Sequence, residues 1–462
     1  MFAAETYVQR RARLRTQVPS GVILLPGNDL SPMNYADNAY PFRQDSSFLY
    51  FFGLDEPSLA AVIDLDEGTE CLFGDDPTVE EVVWTGPQTP LREKAQKVGV
   101  TQTAPQSDLE SVLKKASEQG RTIHYLPPYR TEHVLKFAGL LHLPAEAITE
   151  RISETLIRAV VAQRSVKSAE EIEQIEAALD ISYQMHTAAM KMARPGAVER
   201  EIVGTMAAIA VSQGVHFAFP PIVSIRGEIL HNPFHNNVLK AGDIAVNDSG
   251  AESRLRYASD ITRTIPIGGQ FSQKQREIYS IVFDAQERAI AAILPGVEFR
   301  EIHRLACVTL TAGLKDLGLI KGNPADAVQA GAHTLFFQCG LGHMMGLDVH
   351  DMENLGEEYV GYTNSIKRRP EFGWCSLRLG KAVEPDYVVT VEPGIYFIPT
   401  LIDRWKAERK HEAFIDYAKV ETYRDFGGIR LEDDYLVTEG GFRMLGRPIP
   451  KTIAEVEALA SA

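Results

Sequence analysis

Two segments of the second half of the chain read as a pair of strands carrying acids. Gly242-Asp-Ile-Ala-Val-Asn-Asp248-Ser-Gly250 runs as a strand into a turn, and Ser259-Asp260-Ile-Thr-Arg-Thr-Ile-Pro266 runs as the strand returning. A hairpin of the two sets Asp248 beside Asp260. Further on, Tyr387-Val-Val-Thr-Val-Glu392-Pro-Gly394 is an apolar, β-branched run with a carboxylate at its end, and Gly427-Gly-Ile-Arg-Leu-Glu432-Asp-Asp-Tyr-Leu-Val437 is a strand with acids in its middle. Burying an unpaired carboxylate costs roughly several kcal/mol, so strands turn acids inward only toward a partner. A metal ion is the natural one. His343, in Gly340-Leu-Gly-His-Met-Met-Gly-Leu-Asp-Val-His350, adds one imidazole to the four carboxylates. A mostly oxygen donor set with a single nitrogen suits Mn²⁺, with Co²⁺ or Zn²⁺ as alternatives, and does not suit a thiolate zinc site. Four carboxylates exceed the need of one ion. Two divalent ions sharing bridging carboxylates reduce the repulsion among the acids and supply a hydroxide nucleophile at neutral pH.

Taken singly, each residue has an ordinary role: Asp248 as a turn residue, Asp260 as a cap, Glu392 as an acid before a Pro-Gly turn, Glu432 as a solvated edge residue. Their coincidence carries the argument. His343 and His350 share a Gly-rich apolar stretch with no obvious local partner, and His231 stands just ahead of the Asp248 hairpin. His124, His133, His142, His186, His303 and His411 read as structural or exposed. Arg430 projects from the same strand face as Glu432 and is expected to orient a bridging carboxylate.

The elements that must hold these groups are legible in outline. Between Gly21 and about Leu143, short apolar runs such as Gly21–Pro26, Leu59–Asp64 and Thr122–Pro127 alternate with turns and helical stretches, the pattern of an α/β domain. From about Glu150 the texture becomes helical. Ser168-Ala-Glu-Glu171 and Ser272 to Gln275 are capping boxes opening two amphipathic helices, which stop at Arg194-Pro195-Gly196 and Leu294-Pro295-Gly296. After each stop, Pro-Gly, Arg-Glu and Ile recur at identical offsets through Ile202 and Ile302, which points to an internal duplication whose seam would form a cleft. The chain is too long for one core, and two domains are expected, 1–152 and 153–462.

Composition narrows the partners. With 47 basic and 62 acidic residues the formal net charge is −15, and no basic run offsets it, so neither nucleic acid nor an anionic membrane is expected as a partner. The N-terminus lacks an apolar core of signal-peptide length and no stretch approaches a membrane span, so the cytoplasm is the expected compartment. Cys71, Cys307, Cys339 and Cys375 are widely spaced, which fits reduced thiols.

These residues resemble the proline-specific metallopeptidases of the creatinase or pita-bread fold, the Xaa-Pro aminopeptidases (aminopeptidase P) and Xaa-Pro dipeptidases (prolidases). The resemblance runs almost end to end and is carried by Ser259-Asp-Ile-Thr-Arg-Thr264, by His343 with Gly346-Leu-Asp-Val-His-Asp351, by Thr390-Val-Glu-Pro-Gly-Ile-Tyr396 and by Gly428-Ile-Arg-Leu-Glu-Asp-Asp434. Tyr40-Pro-Phe-Arg-Gln-Asp-Ser-Ser-Phe48 with Phe52-Gly53 is similar to the family's non-catalytic first domain. The resemblance implies an α/β first domain before an α+β pita-bread domain with pseudo-two-fold duplication, and a homodimer. It also implies that Asp248 chelates one metal, that Asp260 and Glu432 bridge both, and that His343 and Glu392 complete the second. Glu392 would shuttle a proton, and His231 and His350 would stabilise the substrate and the tetrahedral intermediate. The substrate it implies is a peptide with proline in second position.

One position departs from the family pattern. A histidine usually precedes the metal-binding one by four residues, and here that residue is Cys339, a smaller and weaker donor, which bears on substrate range more than on metal binding. Arg378 stands where prolidases place an arginine for the free carboxylate of a dipeptide, and the insertion from Phe397 to Phe426 is also prolidase-like, so the sequence leans to a dipeptidase with aminopeptidase P as the alternative. A metal-free binding module of the same fold is the remote alternative, disfavoured because all five ligands are present.

Overall fold

The computed structural model describes residues 1–461. By internal contact it divides into two units, one of residues 1–164 with 352–359, the other of residues 165–351 with 360–462. In the first, the apolar runs become a mixed five-stranded sheet. Its strands are β1 (Val22–Pro26), β2 (Ala60–Asp64), β3 (Thr69–Phe73), β4 (Gln102–Ala104) and β5 (Ile123–His124), in the order β4-β3-β2-β1-β5. Val22, Leu24, Val62 and Phe73 bury one face against Leu109, Leu113 and Phe137, giving the α/β domain that the alternation of runs and turns predicts. Arg11 is 1% exposed and fills its fork from Glu70, Phe51 O and Val98 O.

In the second unit the two capping boxes form as read. Ser168 and Glu171 cap Ala169–Met192, and Ser272 and Gln275 cap Gln273–Ala291. Each Pro-Gly stop then leads into a second helix, Glu199–Ser212 or Phe299–Asp316. The stops also bond alike. Gly196 N–H donates to Leu239 O and Gly296 N–H to Val383 O, both glycines at positive φ, and two residues further on Val198 bridges Val238 while Glu298 bridges Ala382. The duplication is therefore one of structure, not only of letters.

The strands of this unit are β6 (Ile222–Ser224), β7 (Ile244–Asp248), β8 (Thr262–Pro266), β9 (Val388–Val391), β10 (Gly394–Tyr396), β11 (Gly428–Arg430), β12 (Asp433–Thr438) and β13 (Gly441–Met444). They form antiparallel sheets β6-β7-β8 and β13-β12-β9 and a ribbon β10-β11. One expectation is corrected here: the run from Gly427 to Val437 is not a single strand. Pro393 has no N–H to give the ladder, so pairing lapses between Gly394↔Arg430 and Val391↔Asp433. Glu432 falls in that gap and bridges Thr262 instead, so Glu392 and Glu432 stand at the same break.

The loop bearing His350 is organised around a buried ion pair, Lys167 Nζ to Asp351 Oδ2 at 3.0 Å, with both side chains 1% exposed. Asp351 Oδ1 also accepts the Asp348 N–H. Lys167→Met would strand the carboxylate, and we expect it to cost about 3–5 kcal/mol, read as a lowered midpoint in urea unfolding.

Candidate active site

The hairpin pairs Asp248 with Thr262, which puts Asp260 two residues ahead of its strand. Behind Asp248 lies a polar cluster at 0% exposure: Asn247 Nδ2 meets His186 Nδ1 at 3.2 Å, and Ser249 Oγ donates to Asn247 Oδ1 at 2.9 Å. Burial pushes the His186 imidazole down to about 4, so it stays neutral. Asn247 is thus part of what fixes the end of β7.

His343 arrives on a segment that lies close along β9. Its N–H donates to Thr390 Oγ1 at 3.2 Å and its carbonyl accepts the Thr390 N–H. A Cβ on Gly342 would stand 2.0 Å from Thr390 O, so only glycine permits this approach. His343 Nδ1–H donates to Met344 O at 3.0 Å, which leaves Nε2 facing the acids with its lone pair. Nε2 is 3.4 Å from Asp260 Oδ2 and 3.6 Å from Glu392 Oε1. Asp260, His343 and Glu432 are all buried and offer one ligand atom each within 4.8 Å of one another.

Several carboxylate oxygens have a fixed partner and several do not. Glu432 Oε2 accepts from Thr262 Oγ1 at 2.7 Å, and Asp248 Oδ2 accepts from Arg430 Nη2. Asp248 Oδ1, Asp260 Oδ1 and Glu432 Oε1 are buried with no hydrogen-bond donor. Such orphans are costly in a native interior and need a reason. A divalent cation supplies it: a mostly oxygen set with one imidazole lone pair fits one, and the residues present fit the group. Without it the acids resist ionisation. Burial, then the Asp248 charge, holds Asp260 well above the carboxylate range, and burial, then Asp260 and Glu392, does the same to Glu432. Glu392 keeps 21% of its side chain open but is crowded by protein, and burial raises it to about 7, with His343 and Arg430 opposing.

Other expected residues are placed as follows. The His350 ring lies 4.4 Å from the His343 ring, edge to face. Burial, then the Arg430 charge, lowers the His231 imidazole, with Asp248 opposing and Arg378 adding to the drop. The Arg378 charge is felt at both His231 and Asp260. Cys339 Sγ is 4.0 Å from Tyr396 OH, and burial with the Glu392 charge pushes its thiol up to about 12, so it is a neutral thiol. Arg430 lies among the acids. It binds Asp248, Thr262 Oγ1 at 3.1 Å and Tyr396 OH at 2.9 Å, and reaches Glu432 only through Thr262. Arg430 Nε and Glu432 Oε2 meet on the same Thr262 hydroxyl, so the two side chains share a face without a direct bond. Thr262 and Tyr396 were missed as site residues although both lie inside the family motifs; hydroxyls in apolar strands that carry acids were the available signal.

A fold of two duplicated helix pairs around strands that turn acids onto one imidazole defines a metallohydrolase of the pita-bread architecture. Residues 173–439 match the model of metallopeptidase family M24, and residues 7–124 match the aminopeptidase P N-terminal domain. A probable Xaa-Pro aminopeptidase of Uncinocarpus reesii is 32% identical over 459 residues, covering 95% of this chain and 90% of its own. The Xaa-Pro aminopeptidase of Haemophilus influenzae is 31% identical over 472 residues, covering 98% and 97%. Among solved structures, the aminopeptidase PepP of Pseudomonas aeruginosa superposes with a TM-score of 0.83 at 28% identity, covering 100% of this chain and 98% of that one. Aminopeptidase P of Escherichia coli with the inhibitor Pro-Leu gives 0.81 at 28%, covering 99% and 98%. The chain belongs to metallopeptidase family M24.

These relatives correct the lean to a dipeptidase, since they are named as aminopeptidases. The two features behind that lean do not require a dipeptide. The insertion forms helices Pro399–Ala407 and Tyr417–Glu421, with Phe397 stacked on Tyr423 at 5.0 Å and Ile415 bridging Ile320. A guanidinium such as that of Arg378 can receive a peptide carbonyl oxygen as well as a terminal carboxylate. Among the described residues no helix is long and apolar enough to cross a membrane.

Proposed function

We propose that the protein is a Xaa-Pro aminopeptidase, releasing the N-terminal residue from peptides longer than two residues with proline second. In this reading Asp248, Asp260, His343, Glu392 and Glu432 hold two divalent ions, Mn²⁺ foremost. Residues 1–152 form a non-catalytic domain and 153–462 the catalytic one, in a cytoplasmic homodimer. The observation that carries the reading is the set of three orphaned, buried carboxylate oxygens beside the lone pair of His343.

When bound, the cations polarise the scissile carbonyl and lower the pKa of water at the site. The chain's own residues do the rest. Glu392 takes the proton of the attacking water on a carboxylate oxygen and returns it to the departing proline nitrogen. His231, kept neutral by burial, donates an N–H to the substrate without adding charge, and His350 offers a second N–H from beside His343. Arg430 holds Asp248 in place, and Arg378 receives an oxygen of the residue after the cleaved bond.

The test is hydrolysis of Ala-Pro-Ala beside Ala-Pro by chelator-stripped protein, with and without Mn²⁺. The tripeptide should be cut only after metal is restored, and Ala-Pro far more slowly. Cleavage of Ala-Pro alone would restore the dipeptidase reading. Arg378→Met should raise KM for the tripeptide about tenfold, roughly 1.4 kcal/mol of lost binding, with kcat little changed.

A further inference from the structure

On the side of the strands away from the acids, a second set of side chains engages their backbone. Side chains alternate along a strand, so Thr262, which bonds Glu432, faces the site, and Arg263, which bonds Asp433, faces away. Arg263 is 1% exposed and uses all five of its N–H groups. Nη1 donates to Thr262 O at 2.9 Å and Glu432 O at 2.7 Å, Nη2 to Asp433 Oδ1 and Ile449 O, and Nε to Pro450 O at 3.0 Å. Gln286, at 0% exposure on the helix Gln273–Ala291, reaches the same place from the other half of the unit. Its Nε2 donates to Val391 O at 3.1 Å and to Asp433 Oδ2 at 3.2 Å, and Lys451 Nζ lies 3.2 Å from the same oxygen.

The groups engaged are not scattered. Val391 precedes Glu392, Asp433 follows Glu432, and Glu432 O belongs to the acid itself. These are the residues at the break where neither Glu392 nor Glu432 has a regular ladder to hold it. Glu392 N–H donates to Leu341 O and Glu432 N–H to Thr262 O, not to each other's strands, and Arg263 and Gln286 brace the carbonyls beside both acids.

We propose that Arg263 and Gln286, joined through Asp433, are positioning residues for the metal-binding carboxylates: they set the spacing of Glu392, Glu432 and the Asp260 strand. The inference rests on the metal reading above. Two donors on one nitrogen suit the pair of acceptors next to the two acids, and the five-donor fork of Arg263 spans both strands and the segment at Ile449–Pro450 at once. A residue needed only for packing would not have to address the backbone beside each acid.

Gln286→Met keeps the volume and removes the donors. Isothermal titration of the chelator-stripped full chain with Mn²⁺ should show binding weakened about tenfold or more, the size expected for residues that orient ligands, while near-ultraviolet circular dichroism in chelator stays that of the parent. A merely structural role predicts the reverse: an altered apo spectrum with parental Mn²⁺ affinity in the folded fraction. Arg263→Lys keeps the charge, loses the fork and is read the same way; it decides the matter if Gln286→Met does not fold. Parental Mn²⁺ affinity in the folded variants, or failure of both to fold, would overturn the proposal. A parent chain that takes up no Mn²⁺ would refute the metal reading itself and this proposal with it, which a parent that binds normally beside unaffected variants would not.

Discussion

Asp260→Asn is expected to lower kcat/KM for a proline-second tripeptide by more than about a thousandfold, ~4 kcal/mol of transition-state stabilisation, while making the metal-stripped protein more stable. Both effects have one cause. Asp260 Oδ1 is buried without a donor, its carboxyl is held in the neutral form by burial and by the Asp248 charge, and His343 Nε2 faces its other oxygen. With a divalent ion this is an anionic ligand; without one it is a penalty. Asparagine removes the penalty and the charge together. Differential scanning calorimetry of the stripped proteins beside peptide assays of the loaded ones checks this, and full activity in the variant would sink the assignment of Asp260 as a metal ligand. Loss of activity with a lowered apo midpoint would instead show that Asp260 acts through the fold.

Stripping the metal is the second large effect, and its pH dependence has a definite sign. In the stripped protein Asp260, Glu432 and Glu392 are all raised, Glu392 to about 7. A carboxyl whose folded pKa is raised contributes stability that is complete below its unfolded value, near pH 4, and is lost as pH climbs through the folded value. The stripped protein should therefore lose midpoint between about pH 4.5 and 7.5 on account of these groups. Cations favour the ionised forms and reverse the sign for the same acids, so their stabilisation fades as pH falls. The gap in melting temperature between loaded and stripped protein should widen from pH 5 to pH 8. An ion at about a thousand times its dissociation constant adds roughly 4 kcal/mol. Protons should be released when Mn²⁺ is added at pH 6, measurable by titration in buffers of different ionisation enthalpy. A gap that stays constant across this range would mean that the three acids are not where the cation binds.

Both predictions concern groups that are unfavourable until a ligand arrives. The same conflict made the site visible in the amino-acid order, because acids inside apolar, β-branched runs contradict the local pattern around them. Asp248, Asp260, Glu392 and Glu432 stand out that way, and His343 by its place in a Gly-rich apolar stretch. The glycine is now explained by contact, since Gly342 lets the His343 segment lie against Thr390. What Arg378 and Cys339 would select was not legible, because selection depends on the shape of the space around a peptide, not on residue type.

What the amino-acid order determined by itself was whatever rests on short-range physics. The capping boxes at Ser168 and Ser272 need three residues of context, the Pro-Gly stops two, and the apolar runs of the first sheet five. The tertiary structure alone decided the long-range pairings. Arg430 could be put on a strand face from periodicity, yet that it binds Asp248, 182 positions away, follows only from the packing of the two sheets. Likewise His186, read as structural or exposed, is buried beside Asn247, and Gln286, a residue that nothing in the amino-acid order singles out, lies against Val391 O and Asp433. Periodicity states which way a side chain points; only the packed chain supplies what it points at.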